Sequence, residues 1–235
     1  MNKIGVIGCG NMGSVIAGKL SQQINEYEVW VFDKDKERSN SLKTNTAKNA
    51  LDLVDKSETI ILAIKPQDLD HLLKEIRKQA GGKLVISIAA GISTRHIENI
   101  LGDVRVIRVM PNIAAKIAES VSCLCKGKFA TSDDLLFTQE IFYYLGITRQ
   151  IDESMMNAAT AISASGPGYI FNFIENSGLD PQNMKTKLPP GELKKQEASK
   201  GGTTEAGLEV IRKGGSWEEA AQAALKRAEA LARRD

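Results

Sequence analysis

The chain has few cysteines, histidines, prolines and aromatic residues. Its three cysteines, Cys9, Cys123 and Cys125, are too few and too unevenly placed for a disulfide framework. Its two histidines lie far apart, without the spacing of metal ligands. The six prolines argue against a collagen-like or proline-rich chain. A folded protein without disulfides or a structural zinc site is therefore expected, with no metal among its site residues.

Long apolar runs and an excess of one charge are also lacking. No run approaches the roughly 18 residues that a membrane helix needs, and the N-terminus leads into a glycine-containing strand where a signal peptide would be apolar. The 31 basic and 29 acidic residues leave a net charge of +2, too balanced for a nucleic-acid-binding protein. We expect a cytoplasmic protein that binds a small-molecule substrate, with neither a nucleic-acid nor a membrane partner.

The length of 235 residues predicts one full-sized domain and a smaller companion. Short segments rich in valine and isoleucine alternate with segments whose apolar residues have helical spacing, such as the one after Pro66. This alternation predicts a doubly wound α/β sheet of the Rossmann type over residues 1–151. Its predicted buried parallel strands are Lys3–Gly8, Glu28–Asp33, Thr59–Ile64, Lys83–Ile88 and Val104–Val109; further strands are predicted at Val121–Lys126 and Ile147–Ile151, with a helix at Asp133–Leu145.

The β signal ends near residue 151, and residues 152–235 are predicted as a smaller all-α domain. Ser216 and Glu219 form a capping box before a helix whose apolar residues, from Trp217 to Leu231, share one face. The segment Asn176–Lys200 is predicted to be a polar connector with at most short helical turns. The other predicted helices are Glu153–Ala164, Pro167–Glu175 and Thr203–Arg212.

A glycine-rich turn follows the first predicted strand and opens a helix. Gly8, Gly10 and Gly13 have the GxGxxG spacing that permits a tight turn, close approach of a pyrophosphate, and close helix–strand packing. Asp33 ends the second strand 20 residues after Gly13, where an acidic group commonly binds a ribose hydroxyl. The combination predicts a dinucleotide site rather than a structural turn.

The choice between NAD and NADP stays open at this point. Asp33 would repel a 2′-phosphate, but Lys34, Lys36 and Arg38 follow it directly and could pair with one. These bases are also compatible with a solvated start of a helix.

Five further motifs are spaced along the chain. They are Leu62-Ala63-Ile64-Lys65-Pro66-Gln67, Ser87-Ile88-Ala89-Ala90-Gly91-Ile92, Arg108-Val109-Met110-Pro111-Asn112, Ser163-Ala164-Ser165-Gly166-Pro167-Gly168-Tyr169 and Ser199-Lys200-Gly201-Gly202-Thr203-Thr204. Three of them follow predicted strands, at the sheet edge where ligands bind. Together they resemble the pyrroline-5-carboxylate reductase family, over roughly residues 1–175 and 190–235. The resemblance implies reduction of 1-pyrroline-5-carboxylate to L-proline by hydride transfer from NADPH or NADH.

The resemblance also implies which residues hold the cofactor. They come from several loops along one sheet edge. They are Gly8, Gly10, Asn11, Met12 and Gly13 at the pyrophosphate; Asp33, Lys34 and Asn49 at the adenosine ribose or its phosphate; Ala63, Lys65 and Pro66 beside the nicotinamide ribose; and Ala89, Gly91, Met110 and Asn112 at the nicotinamide face.

For the substrate, the resemblance implies a carboxylate site and a catalytic hydroxyl. The family places Thr204 near the imine nitrogen, where its hydroxyl would position the substrate or relay a proton. The family also interlocks two subunits through its helical domains, so a homodimer or larger homo-oligomer is expected. The implied substrate-binding residues are Ser199, Gly201, Gly202, Thr203, Ser165 and Gly166.

The chain departs from the family pattern mainly in the connector. Only the 30 residues Tyr169–Ala198 separate Gly168 from Ser199, so the helical domain is expected to be shortened around residues 176–198. Gly168 also stands where alanine is frequent in the family. Two alternatives therefore remain beside the reductase: a catalytically weak NAD(P)-binding module that has lost the shared dimer site, and a reductase of another small carboxylate-bearing imine.

Overall fold

A computed structural model describes residues 1–23, 25–177 and 189–232 and contains one eight-stranded sheet. The strands are β1 Asn2–Ile7, β2 Tyr27–Phe32, β3 Asn45–Thr46, β4 Thr59–Leu62, β5 Leu84–Ser87, β6 Arg105–Met110, β7 Ser120–Lys126 and β8 Gly146–Gln150. Their order is β3-β2-β1-β4-β5-β6-β7-β8, and the first six run parallel. The predicted Rossmann-type sheet is confirmed. Its last two strands run in the opposite direction, because β7 is antiparallel to β6 and β8 is parallel to β7.

Helices cover both faces of this sheet. Side chains of β4 and β5 alternate between two apolar clusters: Ile61 and Ile86 face one, and Ile60 and Val85 face the other. Strands buried on both faces have few positions for polar residues, which explains their continuous runs of valine, isoleucine and leucine. The helices are α1 Asn11–Ser21, α2 Lys36–Asn40, α3 Ala50–Lys56, α4 Pro66–Ile76, α5 Thr94–Leu101 and α6 Ser132–Tyr143, with a 3₁₀ turn at Ile113–Ile117.

After β8 the described chain is helical, as predicted. The segment expected as one helix at Glu153–Ala164 is divided into a 3₁₀ turn, a short α-helix and a π-turn. The predicted connector contains an eight-residue helix, and its residues 178–188 lie outside the described ranges. The elements are the 3₁₀ turn Glu153–Met155, α7 Met156–Ala159, the π-turn Thr160–Ala164, α8 Gly166–Ser177, α9 Pro190–Glu197, α10 Thr203–Arg212 and α11 Trp217–Ala232.

The entry to α11 has the predicted capping box. The Glu219 carboxylate accepts from the Ser216 N–H at 2.7 Å, and the Ser216 hydroxyl accepts from the Glu219 N–H at 3.1 Å. The helix then buries Ala224 and Ala228 among its neighbours. Trp217 departs from the prediction: it precedes the buried face and is 48% exposed.

An ion pair between a buried arginine and a partly exposed glutamate joins the sheet to the helical part. Arg108 of β6 is only 2% exposed, and its Nη1 donates to Glu153 Oε1 at 2.6 Å. Its Nη2 donates to Asn157 at 3.2 Å, and the Thr94 hydroxyl donates to the other Glu153 oxygen at 2.9 Å. Burial raises the pKa of Glu153, but the hydrogen bond and charge of Arg108 outweigh it, so that the pKa is lowered overall. The pair is therefore ionised near neutral pH.

Two kinds of feature are absent from the described ranges. No helix there combines the length and apolar character needed to cross a membrane. The same ranges contain no group of three or more histidine, cysteine or acidic side chains that could hold a metal ion. The three cysteines are free and buried.

Candidate active site

The three glycines of the turn after β1 have different surroundings. Gly8 has a φ of +99°, a left-handed conformation that favours glycine. A Cβ on Gly13 would lie 1.9 Å from the Gly8 carbonyl oxygen, so that only glycine lets α1 pack on the turn. A Cβ on Gly10 would meet nothing within 4 Å. This turn fits a pyrophosphate, because its middle glycine leaves the backbone accessible beside the N-terminus of α1.

Asp33 braces this turn from the end of β2. One of its carboxylate oxygens accepts from the Cys9 N–H at 2.6 Å, and the other accepts from the Asp35 N–H at 2.9 Å. Burial, followed by the charge of Asp33, raises the pKa of Cys9 to about 12, so its thiol stays protonated. Lys34 is exposed beside this loop. Asp33 thus fixes the loop conformation with the same oxygens that would accept from a ribose hydroxyl.

A cleft of about 190 Å³ lies where the sheet edge meets the helical part. It brings together residues predicted for the cofactor and residues predicted for the substrate. From the cofactor set it contains Met12, Lys65, Pro66 and Met110, and from the substrate set Ser199, Gly201, Gly202, Thr203 and Thr204. Other lining residues, not singled out from the sequence, include Gln67, Ile88, Ala90, Pro111, Glu197, Lys200 and Leu231.

Three predicted cofactor residues adjoin the cleft or lie elsewhere along the sheet edge. Ala63 lies under the glycine turn, 3.0 Å from where a Cβ on Gly13 would be. Ala89 is buried, and its neighbour Ala90 lines the cleft instead. Gly91, with a φ of +78°, packs against Leu231 of α11.

The remaining predicted residues stabilise the structure around the cleft. The Asn112 amide caps the turn after β6 and donates to the Ser163 carbonyl at 3.3 Å. Asn49 caps α3 by accepting from the Asp52 N–H at 2.8 Å. Ser165, fully buried before Gly166, lies 3.0 Å from the Thr203 hydroxyl. Of these, Ser165 acts on the cleft indirectly, through Thr203.

The N-terminus of α10 faces the cleft. The Gly201 N–H already donates to the Glu205 carboxylate at 2.6 Å, and the Gly202 N–H donates to the Ser199 carbonyl at 2.8 Å. The N–H groups of Thr203 and Thr204 belong to the first helical turn, where the helix itself offers no acceptor. These two donors, together with the positive end of the helix dipole, suit an anionic group.

Glu197 is the main cleft residue that the sequence analysis missed. It ends α9, inside the segment expected as a polar connector, seven residues before Thr204. The preceding Gln196 is held at two points: its carbonyl accepts from the Asn11 amide at 2.8 Å, and its side chain accepts from Lys116. No local motif marks Glu197, because the fold rather than the spacing brings α9 to the glycine turn.

A glycine turn at the first strand, a cleft at the carboxyl edge of a parallel sheet and a covering helical part define an NAD(P)-dependent oxidoreductase of the Rossmann type. Residues 3–91 match the family model described as NADP oxidoreductase, coenzyme F420-dependent.

The curated relatives make the assignment narrower. The chain is 37% identical over 246 residues to the pyrroline-5-carboxylate reductase of Methanosarcina acetivorans, covering 91% of this chain and 90% of that protein. It is 30% identical to the enzyme of Escherichia coli, with 91% of each chain covered. The chain belongs to the pyrroline-5-carboxylate reductase family.

Solved structures agree with this assignment. The pyrroline carboxylate reductase of Plasmodium falciparum, solved with NADP bound, superposes with a TM-score of 0.77 at 26% identity over 98% of both chains. The Streptococcus pyogenes enzyme superposes with a TM-score of 0.74 at 27% identity, also over 98% of both chains. The predicted family, fold class and cofactor class are confirmed.

This chain and the Methanosarcina protein differ in length within the aligned region. The alignment with the Methanosarcina protein extends over 246 residues, more than the 235 of this chain, so it includes gaps on the side of this chain. That relative therefore carries residues that have no counterpart here.

Proposed function

We propose that the cleft between the sheet edge and α10 reduces 1-pyrroline-5-carboxylate to L-proline, with NADPH or NADH as the electron source. The observation that carries the proposal is the single cleft shared by Met12, Met110 and Thr204. It joins the glycine turn, the carboxyl edge of the sheet and an anion-suited helix N-terminus. Reduction of a carboxylate-bearing imine needs these three parts together.

The residues present fit a nicotinamide dinucleotide. Gly10 leaves room for the pyrophosphate, and the turn is fixed by Asp33. Lys65, Pro66 and Met110 lie where the chain would border the nicotinamide end. When bound, the reduced nicotinamide supplies a hydride. The protein's own contribution is to hold the imine carbon against that ring and to exclude water from the cleft.

The first turn of α10 would bind the substrate carboxylate. The N–H groups of Thr203 and Thr204 supply the donors, and Ser165 holds the Thr203 side chain at 3.0 Å. Arg227 steadies the preceding loop, since its Nε donates to the Gly201 carbonyl at 2.8 Å. With its carboxylate bound at this point, the five-membered ring of the substrate would lie within the cleft that Met110 also lines.

The test is a spectrophotometric assay of NADPH and NADH oxidation with and without 1-pyrroline-5-carboxylate. We expect oxidation that depends on this substrate, and the rates with the two cofactors give the preference. Cofactor binding by calorimetry without turnover would instead support the catalytically weak module. Turnover of other carboxylate-bearing imines, but not of this one, would support the second alternative.

Thr204→Ala is expected to lower kcat about 10- to 100-fold while the Kd for the cofactor changes little. The side chain is 5% exposed and lines the cleft, where its hydroxyl would position the imine nitrogen. Steady-state kinetics and cofactor titration measure the two effects. Thr204→Ser, which keeps the hydroxyl, is the matched control and should retain most of the rate. Equal losses in both variants would remove the hydroxyl from the mechanism.

The helical part presents an apolar surface that suits a second copy of the chain. Ile170 and Phe173 of α8 are about half exposed, and Phe173 packs edge-on against the equally exposed Trp217, with ring centroids 6.1 Å apart. Exposed aromatic pairs of this kind are enriched at protein interfaces. We assign a helical substrate and dimerisation domain to residues 152–235, with the shortened connector around 176–198 as the place of the alignment gaps.

Phe173→Glu is therefore expected to convert a homodimer into a monomer in light scattering. Burying a charge at the centre of an apolar interface opposes association. Leu136→Glu, at a 58% exposed position on α6 in the sheet domain, is the control and should leave the mass unchanged. A monomeric wild-type protein would show that this surface is not a dimer interface.

A further inference from the structure

The end of α9 places a carboxyl group beside the substrate end of the cleft. Glu197 lines the cleft together with Thr203 and Thr204. A Cβ on Gly168 would lie 2.5 Å from Thr204 Cγ2 and 3.4 Å from Glu197 Cγ, so Gly168 lies between these two side chains and touches both. The absence of a side chain at Gly168 is what lets Thr204 pack this closely on α8, next to Glu197.

Glu197 is held in place through contacts of its two neighbours in the chain. The Asn11 amide and Lys116 bind the preceding Gln196. The Ala198 N–H donates to the Lys194 carbonyl at 2.9 Å, which closes the helix. The residue is therefore positioned by the glycine turn, by the turn after β6 and by its own helix. Such bracing suits a group that has to meet a substrate at a fixed point.

The surroundings of Glu197 favour its neutral form. No described residue donates a hydrogen bond to its carboxyl oxygens. Burial raises the pKa of Glu197 from 4.5 to about 8, and the charge of Lys116 only partly opposes this. Among the described residues, the other charged groups around the cleft include Lys65 before α4, Lys200 and Glu205 at α10, and Arg227 of α11. Near pH 7 the side chain is thus mainly a carboxylic acid rather than a carboxylate.

We propose that Glu197 donates the proton that the imine nitrogen receives during reduction, a role that rests on the proposed function. The imine carbon gains a hydride with its electron pair and forms a C–H bond, while the reduced nicotinamide is oxidised. The π pair of the C=N bond passes to nitrogen, an N–H bond forms, and the O–H bond of Glu197 breaks. The resulting carboxylate faces Lys116 and regains its proton from water.

Thr204 and Glu197 thus have different roles in the same cleft. A hydroxyl such as that of Thr204 is too weak an acid to supply a proton readily near neutral pH, whereas a carboxylic acid that titrates close to the working pH is well matched. Thr204 then orients the nitrogen and Glu197 supplies the proton. A neutral Glu197 also avoids repulsion of the substrate carboxylate at the start of α10.

The first test is the pH profile of kcat for Glu197→Gln. The amide keeps the size of the side chain but has no acidic proton, so we expect kcat at pH 7 to fall about 100-fold. The wild-type kcat should decline as the pH rises through about 8, where Glu197 loses its proton, and the variant should lack this decline. Glu192→Gln, an exposed position on the same helix, is the matched control and should keep both the rate and the profile.

The second test does not depend on turnover. Carbon NMR of selectively labelled glutamate in the wild-type protein should show one carboxyl titrating near pH 8, and this signal should be absent from Glu197→Gln. Titration of Glu197 near 4.5, or an unchanged kcat and profile in the variant, would overturn the assignment. A wild-type protein without turnover would contradict the proposed function instead, so the two failures are distinguishable.

Discussion

Glu153→Gln is expected to lower the free energy of unfolding by about 2–4 kcal/mol. The substitution leaves Arg108, which is 2% exposed, without a compensating charge. Among the described residues Arg108 Nε has no hydrogen-bond partner, so the guanidinium depends on its hydrogen bonds to Glu153 and Asn157. The expected loss lies below that for a fully buried pair, because the Glu153 side chain is 35% exposed. Chemical denaturation measures it.

The double variant Arg108→Met/Glu153→Met is the matched control. Replacing both partners removes the stranded charge, so its stability should exceed that of Glu153→Gln. A double variant as unstable as the single one would show that the loss comes from packing and not from charge.

The ion pair of Arg108 and Glu153 also makes the stability of the fold depend on pH. The pKa of Glu153 is lower in the folded protein than its ordinary value of 4.5. The ionised pair therefore contributes its full stability above that value and loses it as the pH falls through the folded pKa. Glu153→Gln should lack this acidic decline, and denaturation series between about pH 3 and pH 7 would show it.

Gly13→Ala is expected to weaken cofactor binding by more than about 100-fold, or about 2.7 kcal/mol, and to lower the Tm as well. The added methyl group would lie 1.9 Å from the Gly8 carbonyl oxygen and 3.0 Å from Ala63 Cβ. The start of α1 would have to move away from the turn, and with it the N–H groups proposed to bind the pyrophosphate. Calorimetric titration with NADPH and NADH measures the affinity, and thermal unfolding measures the Tm.

Two further glycines make this prediction specific. Gly10→Ala meets no atom within 4 Å in the protein itself, so it should keep the wild-type Tm but lose affinity, because its methyl group would occupy the free space proposed for the pyrophosphate. Gly18→Ala, also unobstructed but farther along α1, should leave the affinity unchanged and raise the Tm slightly, because alanine has the higher helix propensity. Unimpaired affinity in Gly10→Ala would place the cofactor elsewhere.

The sheet domain could be predicted from the sequence because its signals are local. A strand such as β4, buried on both faces, appears as a run of apolar residues, and the glycine turn is recognisable from three spaced residues. The start of α11 was equally visible, since Ser216 and Glu219 cap it from three residues apart. Family motifs then pointed to Thr204 in the cleft.

The features that the sequence did not reveal depend on distant contacts. The reversed direction of β7 and β8 follows from how the chain returns after β6, which no run of residues encodes. The partnership of Arg108 with Glu153 spans 45 positions. Glu197 lies in a polar segment that resembles a loop, and only the packing of α9 against the glycine turn turns its carboxyl group into part of the cleft.

The hydrogen bond from Asn11 to the Gln196 carbonyl spans 185 positions and joins the glycine turn to the helix that ends at Glu197. A single amide is thus shared between the pyrophosphate side and the substrate side of the protein. Thermodynamic linkage requires that whatever a dinucleotide does to α9 through this amide, α9 does in equal measure to dinucleotide affinity. Any coupling between dinucleotide and substrate that passes through this contact therefore acts equally in both directions.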